Sequence, residues 1–248
     1  MKYFFDTINK RDLILLISFD YLKIYDISKW SLIVYIKESI YNKRGMNSCI
    51  LNNKNQNFII TSNYYSDCFR IYDFNGNKIK NIKTPNAINI EIETYQDYII
   101  SGNINCCTTY NFNTKKFKKY ETNKDMLFQL GNIVAYKNKK GANILIAKCE
   151  DNLKNYNIFI WDFKPCLPIN KIVFKIITYD SGLRLWNENY FIVGTGFLLK
   201  IFDISKNKFI KEIKSTEIIY NYKKIAHPKY GECLMLIDSN NTIKILFD

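Results

Sequence analysis

Residues 158–162 read Ile158-Phe159-Ile160-Trp161-Asp162, in which apolar residues alternate before an aromatic ring and an aspartate. Such alternation over a short run is typical of a β-strand that packs one face against a core. An aspartate directly after the strand favours a tight turn, because its carboxylate accepts hydrogen bonds from nearby backbone N–H groups. The segment therefore predicts a β-strand that ends in a turn at residue 162.

The same pattern recurs five more times along the chain. The copies are Leu22–Asp26, Phe69–Asp73, the weaker Cys107–Asn111, Leu199–Asp203 and Ile243–Leu246, which has Leu246 in the aromatic position. Successive aromatic positions lie 47, 38, 51, 41 and 44 residues apart, and their mean of about 44 matches the period of a four-stranded propeller blade. Short β-rich runs precede the copies, and no segment shows helical periodicity. The sequence thus predicts an all-β propeller of about six four-stranded blades.

These residues resemble the WD40-repeat family. Trp161-Asp162 is the dipeptide that names the family, and Tyr25-Asp26, Tyr72-Asp73 and Phe202-Asp203 are aromatic variants of it. The resemblance covers the whole chain and implies a single propeller domain over residues 1–248. We expect the aromatic residues of these four copies to be mostly buried between blades, at equivalent strand positions.

The sequence departs from the usual WD40 pattern, as expected of a diverged member of the family. The segment Ile225–Gly231 is similar to the turn between the first and second strands of a family blade, but the Gly-His pair of the family is absent. The only histidine, His227, stands elsewhere in the repeat. The buried hydrogen-bond network of the family histidine therefore cannot form, and packing between blades has to stabilise the ring instead.

Closure of the ring is left open by the sequence. Six repeats leave the last blade one strand short, and a seven-bladed or incompletely closed ring is the alternative. Either Lys2–Phe5 pairs with the last blade and closes the circle, or one strand edge stays open. An open edge is a pairing site, so a partner protein could add a strand there.

The net charge of +13 comes mainly from lysine, because only four of the 36 basic residues are arginine. Proteins that read nucleic acids usually cluster their charge and use arginine for bidentate contacts. Here the lysines are spread along the chain, which favours a self-repelling surface over an RNA or DNA partner. The longest apolar run, Leu13–Ile17, is far too short for a membrane-spanning helix. Seven scattered cysteines and no signal peptide predict an intracellular protein, cytoplasmic or nuclear.

The search for chemistry identifies no catalytic, cofactor or metal site. His227 is expected in an exposed turn, and Cys106-Cys107 should point to opposite faces of a strand. Glu91 and Glu93 lie two apart on a predicted innermost strand, where we expect a polar lining of a central channel. Gly194-Thr195-Gly196 precedes a strand, whereas phosphate binding needs a helix N-terminus. The chain is therefore predicted not to be an enzyme, with a channel-site enzyme as a remote alternative.

Two groups of lysines have simple interpretations. Lys115, Lys116, Lys118 and Lys119 flank Phe117 on a predicted outer strand, where lysine prevents edge-to-edge aggregation. Residues 137–140 contain three lysines before Gly141, which predicts a solvated turn between strands.

The leading functional prediction is a non-catalytic scaffold that binds other proteins, with a basic propeller in an RNA- or DNA-protein assembly as the alternative. Tyr64 and Tyr65 stand in a predicted loop of the second blade, where small polar residues are usual. Tyrosine offers apolar area and a hydroxyl at low entropic cost. We expect both to anchor a protein ligand, together with Phe197 from the matching loop three blades further on. The alternative is that one ring packs on the neighbouring blade.

Overall fold

The computed structural model describes residues 2–18, 20–37, 46–53, 56–63, 66–85, 91–103, 106–121, 127–150, 155–163, 167–175, 180–227 and 229–246. For residues 127–132, 150, 155, 167–175, 180–181 and 227 it describes the backbone alone. The chain divides into two compact units, Met1–Asn123 and Lys124–Asp248. Each unit contains three antiparallel sheets.

The first unit contains three four-stranded sheets, here named blades 1 to 3. Blade 1 comprises β1 (Lys2–Asp6), β2 (Arg11–Ile17), β3 (Tyr21–Asp26) and β4 (Ser31–Lys37). Blade 2 comprises β5 (Met46–Asn53), β6 (Gln56–Asn63), β7 (Cys68–Tyr72) and β8 (Lys78–Lys83). Blade 3 comprises β9 (Glu91–Tyr95), β10 (Tyr98–Asn103), β11 (Cys106–Asn111) and β12 (Lys116–Glu121).

The second unit contains blades 4 to 6. Blade 4 comprises β13 (Leu127–Lys137), β14 (Asn143–Glu150), β15 (Asn155–Asp162) and β16 (Leu167–Lys175). Blade 5 comprises β17 (Asp180–Asn187), β18 (Tyr190–Thr195), β19 (Leu198–Asp203) and β20 (Lys208–Lys214). Blade 6 has three strands, β21 (Ile219–His227), β22 (Gly231–Asp238) and β23 (Ile243–Leu246). The predicted all-β class and the six propeller blades are confirmed.

Of the two alternatives for closure, the one in which Lys2–Phe5 pairs with the last blade is not the one found. These residues belong to β1, which pairs with β2 in an antiparallel hairpin, with Phe4 opposite Leu13. The Asp6 carboxylate accepts the N–H groups of Ile8 and Asn9 at 3.1 and 3.2 Å and so fixes the turn. A local hairpin closes a short loop and costs less chain entropy than a pairing with the other end of the sequence.

The repeated motif lies on the third strand of every blade, as the sequence predicts. Tyr72, Trp161 and Phe202 are buried, with exposed fractions of 6%, 1% and 1%. Tyr25 is less buried than these three but is still mostly buried. It lies on the face of blade 1 opposite to Ile24, which packs against blade 2.

A β-bulge that the sequence analysis did not predict follows the motif in four of the blades. In blade 1 the partner of Ile24 is Val34 and the partner of Tyr25 is Leu32, so Ile33 is an extra residue on the fourth strand. The extra residues at the matching positions of blades 2, 4 and 5 are Ile79, Ile169 and Ile210. A bulge of this kind increases local twist and changes the direction of the strand.

Aspartate or asparagine caps the turn after the motif, as predicted. The Asp203 carboxylate accepts the N–H groups of Ser205 and Lys206 at 2.9 and 3.0 Å. The hydroxyl of Ser205 lowers the pKa of Asp203, burial opposes this, and the N–H and charge of Lys206 lower it further. Asn111 makes the same turn in blade 3 with an uncharged amide.

Apolar clusters join neighbouring blades within each unit. In the first unit, Leu15 and Ile24 of blade 1 pack with Ile59 and Tyr72 of blade 2, and a second cluster joins blades 2 and 3. In the second unit, one cluster joins blades 4 and 5 and another joins blades 5 and 6. Each blade therefore buries one face of its second and third strands against the next blade of its unit, wherever that unit supplies one.

Candidate interaction site at the sixth blade

Blade 6 presents an unpaired strand edge. In each of blades 1 to 5 a fourth strand pairs with the third, whereas β23 pairs only with β22 within the described part of the chain. The outward N–H and C=O groups of β23 therefore have no strand partner among those residues. An edge of this kind is a template for pairing with another segment.

Two isoleucines on β23 are exposed, and the counterparts of the first of them are buried in the other blades. Ile243 is 62% exposed, and Ile245 is 40% exposed. The counterparts of Ile243 are all fully buried: Leu22, Phe69, Cys107, Ile158 and Leu199. Leu246 packs toward blade 5, just as Phe202 packs toward blade 4, which confirms the alignment of the repeats. The sequence of β23 is thus that of a third strand whose outer cover is not among the described residues.

An apolar cavity of about 480 Å³ lies beside this edge, between blades 5 and 6. Trp186, Ile201 and Ile213 line it from blade 5, and Leu234 and Leu246 line it from blade 6. Its volume suits one or two large apolar side chains or a small ligand.

The other blades show what fills the corresponding space. The residue that follows the Asp or Asn of the motif packs against the cluster of the preceding blade, as Phe74, Phe112 and Ile204 do. The matching position of blade 6 comes after Leu246 and lies outside the described residues.

Charged groups stabilise the turn that leads into β23. The Asp238 carboxylate accepts the N–H groups of Asn240 and Thr242 at 3.1 and 3.0 Å and pairs with Lys244 Nζ at 2.8 Å. The hydrogen bond from Lys244 lowers the pKa of Asp238, burial opposes this, and the backbone N–H groups lower it further. Residues 198–246 contain nine lysines and five acidic residues, so the region of the edge is basic.

Lys224 joins the two strands that border the cavity. Its Nζ donates a hydrogen bond to the Trp186 carbonyl oxygen at 2.9 Å, lies 5.3 Å from the centre of the Trp186 ring and forms an ion pair with Glu232. A cation over an indole face is attracted by the ring quadrupole. These contacts hold Trp186 at the wall of the cavity.

The structure places the predicted protein-binding residues as follows. Tyr64 and Tyr65 lie outside the described residues. Phe197 lies in the turn between β18 and β19 and is 41% exposed. The binding role of these three residues stays a prediction from the sequence.

The two glutamates considered as candidates for chemistry, Glu91 and Glu93, are placed in ion-pairing or buried surroundings. Glu93 lies on β9, the first strand of blade 3, and its carboxylate pairs with Lys2 Nζ at 2.8 Å. Burial lowers the pKa of Lys2, but Glu93 and the nearby Cys49 and Glu91 raise it by more, so that it lies above its ordinary value. Glu91 itself is buried.

The other residues considered for chemistry, two cysteines and the histidine, lie on strands of their blades. Cys106 and Cys107 are both buried on β11, and burial raises the pKa of Cys107 well above its ordinary value. His227 was expected in a turn but is the last residue of β21, where its backbone pairs with Gly231 of the second strand. In the described ranges, no group of three or more His, Cys, Asp or Glu side chains is placed to hold a metal ion.

Most lysines of the two groups lie where the sequence predicts, but Lys115 lies in the turn before β12 and Lys137 ends β13. Lys116 and Lys118 are exposed on β12, the outer strand of blade 3, and Lys119 pairs with Glu121 at 3.1 Å. The turn between β13 and β14 contains Lys139 and Lys140.

The fold and the edge together define a β-propeller whose sixth blade has three described strands. No protein-family model matches the sequence, and no curated protein matches it. Across the described residues, the structure has no helix that is both long and apolar enough to span a membrane.

Proposed function

We propose that the chain is a non-catalytic interaction scaffold of the WD40 type, and that blade 6 binds partner proteins by accepting a fourth strand at β23. The observation that carries the proposal is the exposure of Ile243, whose counterparts in the other blades are all fully buried. Strand addition would pair the open backbone edge and place side chains of the added strand beside both isoleucines. Main-chain hydrogen bonds then supply affinity, and alternate side chains supply specificity.

The fourth strands of the complete blades indicate what the partner strand must look like. The residue opposite the counterpart of Ile243 is Ile36 in blade 1, Ile82 in blade 2 and Ile213 in blade 5. A bound strand therefore places a large aliphatic side chain opposite Ile243. The surplus of lysine around the edge favours acidic residues next to it, so the partner is an extended, acidic segment with alternating aliphatic residues.

The non-catalytic part of the proposal rests on what the candidate side chains already do. The Glu93 carboxylate is in an ion pair with Lys2, and Cys107 is buried with a raised pKa. An intracellular location is also part of the proposal. The six cysteines in the described ranges are free thiols, which suits a reducing compartment.

Peptide titration by calorimetry tests the proposal. The probe is a peptide with the sequence of residues 31–37, which form a fourth strand in blade 1, flanked by aspartates. We expect saturable binding that Ile243→Asp weakens by about tenfold or more, because a carboxylate would be buried against an aliphatic side chain. Ile243 is largely exposed, so the variant should fold.

Two matched controls make the result specific. Ile79→Asp changes an isoleucine that is 47% exposed on the fourth strand of a complete blade, and it should leave binding unchanged. The same peptide with V34P cannot pair as a regular strand and should not bind. Binding that survives Ile243→Asp, or no binding of the intact peptide, would contradict the proposal.

The nucleic-acid alternative predicts a different salt dependence. Phosphate contacts release counterions, so the logarithm of the affinity for single-stranded RNA would fall steeply with the logarithm of salt concentration. Strand addition buries apolar groups and depends much less on salt. Retention on RNA that Ile243→Asp leaves unchanged would favour the alternative.

A further inference from the structure

A second cavity, of about 640 Å³, lies between blades 4 and 5 of the second unit. Blade 4 lines it with the end of β13, the β13–β14 turn and residues of β14 and β15. Blade 5 lines it with its β17–β18 and β19–β20 turns. The volume lies within the range of pockets that bind small molecules. This cavity is independent of the edge of β23.

Tyr136 is the unusual member of its lining. The side chain is 94% buried, since only 6% of its surface is exposed, and its hydroxyl has no hydrogen-bond partner among the described residues. Burial, together with the negative charge of Glu188, raises the pKa of Tyr136 to about 12. The hydroxyl is therefore a protonated donor at neutral pH. A buried donor without a partner is costly, so an acceptor supplied by a ligand would relieve that cost.

The hydroxyl is not required for packing at this position. Tyr136 pairs with Ile144, and the matching register positions of blades 1 and 2 hold Phe4 and Leu51, which pair with Leu13 and Phe58. Apolar side chains therefore fill this place in blades 1 and 2, whereas Tyr95 holds it in blade 3 and Asn187 holds it in blade 5.

Matching clefts of the first unit are bridged by side-chain hydrogen bonds. Asn52 Nδ2 donates to Thr7 Oγ1 at 2.7 Å and Asn57 Nδ2 donates to Asp6 Oδ1 at 2.8 Å between blades 1 and 2. Asn53 Nδ2 donates to Asn113 Oδ1 at 3.0 Å between blades 2 and 3. Between blades 4 and 5 the rim instead has an ion pair, Lys139 Nζ to Glu188 Oε1 at 3.1 Å.

The cavity is lined by apolar side chains and by a lysine that could bind a charged ligand. Ile144 and Ile160 are buried and, with Ile204, offer a surface for hydrocarbon. Lys140 is an exposed lysine of the rim that has no ion pair within the described ranges. Because Lys139 neutralises Glu188, the net charge of these rim groups is positive.

We propose that this cleft binds a small organic anion. Its hydrocarbon body contacts the three isoleucines, while a carboxylate or phosphate oxygen accepts the Tyr136 hydroxyl hydrogen and pairs with Lys140. Hydrogen bonds to charged acceptors are stronger than those between neutral groups, which is why an anion is favoured over a neutral ligand. A carboxylate and a phosphate would make the same contacts, and a binding experiment distinguishes between them.

The test measures binding of three probes by calorimetry: benzoate, phenyl phosphate and the uncharged benzamide. We expect at least one anion to bind about tenfold or more tightly than benzamide. Tyr136→Phe should weaken anion binding by about tenfold. Lys140→Gln should weaken the anions and leave benzamide unchanged. The tighter of the two anions identifies the ligand as a carboxylate or a phosphate.

Controls separate binding from folding. Without ligand, Tyr136→Phe should melt no lower than the wild type, because its hydroxyl has no partner to lose. Tyr110→Phe changes another buried tyrosine, in blade 3, and Lys116→Gln changes an exposed lysine of β12; both should leave binding intact. Absence of anion binding, benzamide binding as tight as the anions, or equal binding to Tyr136→Phe would each overturn the proposal.

Discussion

Blades 5 and 6 adjoin in the same unit and share the motif, yet their third strands have opposite surroundings. Leu199 on β19 is fully buried, and Ile243 at the matching position of β23 is mostly exposed. Both strands pair with their second strands in the same antiparallel manner. The difference within the described part of the second unit is the fourth strand, because β20 pairs with β19 and β23 has no such partner. An apolar third strand is therefore buried only where another strand or blade packs against it, and its sequence pattern alone does not ensure burial.

The largest effect is expected for the aromatic position of the motif. Phe202 is buried and stacks on Phe191 with ring centroids 4.7 Å apart. Phe202→Ala should lower the free energy of unfolding by about 3–5 kcal/mol, measured by urea denaturation. Leu246→Ala, at the matching but half-buried position of blade 6, should cost clearly less. Equal losses would mean that blade 6 is as well packed as blade 5.

The next prediction concerns the aliphatic position. Leu199→Ala should destabilise the protein by about 2–5 kcal/mol because it leaves a cavity in a closed core. Ile243→Ala should change stability by about 0.5 kcal/mol or less, as is usual for exposed positions. Paired urea titrations check this ratio. A loss of several kcal/mol for Ile243→Ala would show that another segment covers β23 in solution.

A smaller effect is expected from acid. The pKa of Asp203 is lowered in the folded state, so its contribution to stability is present above the unfolded pKa of about 4. That contribution is lost as the pH falls through the folded pKa. Asp203→Asn should therefore flatten the fall in melting temperature below about pH 4.

Asn111 provides the reverse control for this titration. It makes the same turn with an amide, so Asn111→Asp should steepen the acid dependence that Asp203→Asn flattens. An unchanged pH profile in both variants would mean that the turn carboxylates titrate alike in folded and unfolded chains.

The smallest effect concerns two buried thiols. Cys233 of blade 6 and Cys149 of blade 4 are both fully buried. A sheet with three described strands should open locally at lower cost than one with four. Native alkylation followed by mass spectrometry should therefore label Cys233 before Cys149. The reverse order would indicate that blade 6 is not the weaker sheet.

Local patterns predicted the blades, because a motif such as Ile158–Asp162 encodes a strand and its turn in adjacent residues. The pairing of β1 was left open, since the spacing of repeats carries no information about which strand Lys2–Phe5 joins. The bulges with their extra isoleucines were not predicted, because an isoleucine in a bulge has the same apolar character as any other strand residue. An unpaired strand edge was one of the two alternatives for closure. The unpartnered hydroxyl of Tyr136 could not, because it depends on what a neighbouring blade places beside it.

The ion pair between Lys2 and Glu93 has a consequence for the timing of synthesis. The two residues are 91 positions apart, whereas the β1–β2 hairpin joins residues within the first 17. At about 5–20 residues per second, the ribosome completes that hairpin several seconds before Glu93 emerges. The Lys2 ammonium group therefore remains without this carboxylate until blade 3 is made. During translation, the charge of Lys2 can pair with Glu93 only after blade 3 has been synthesised.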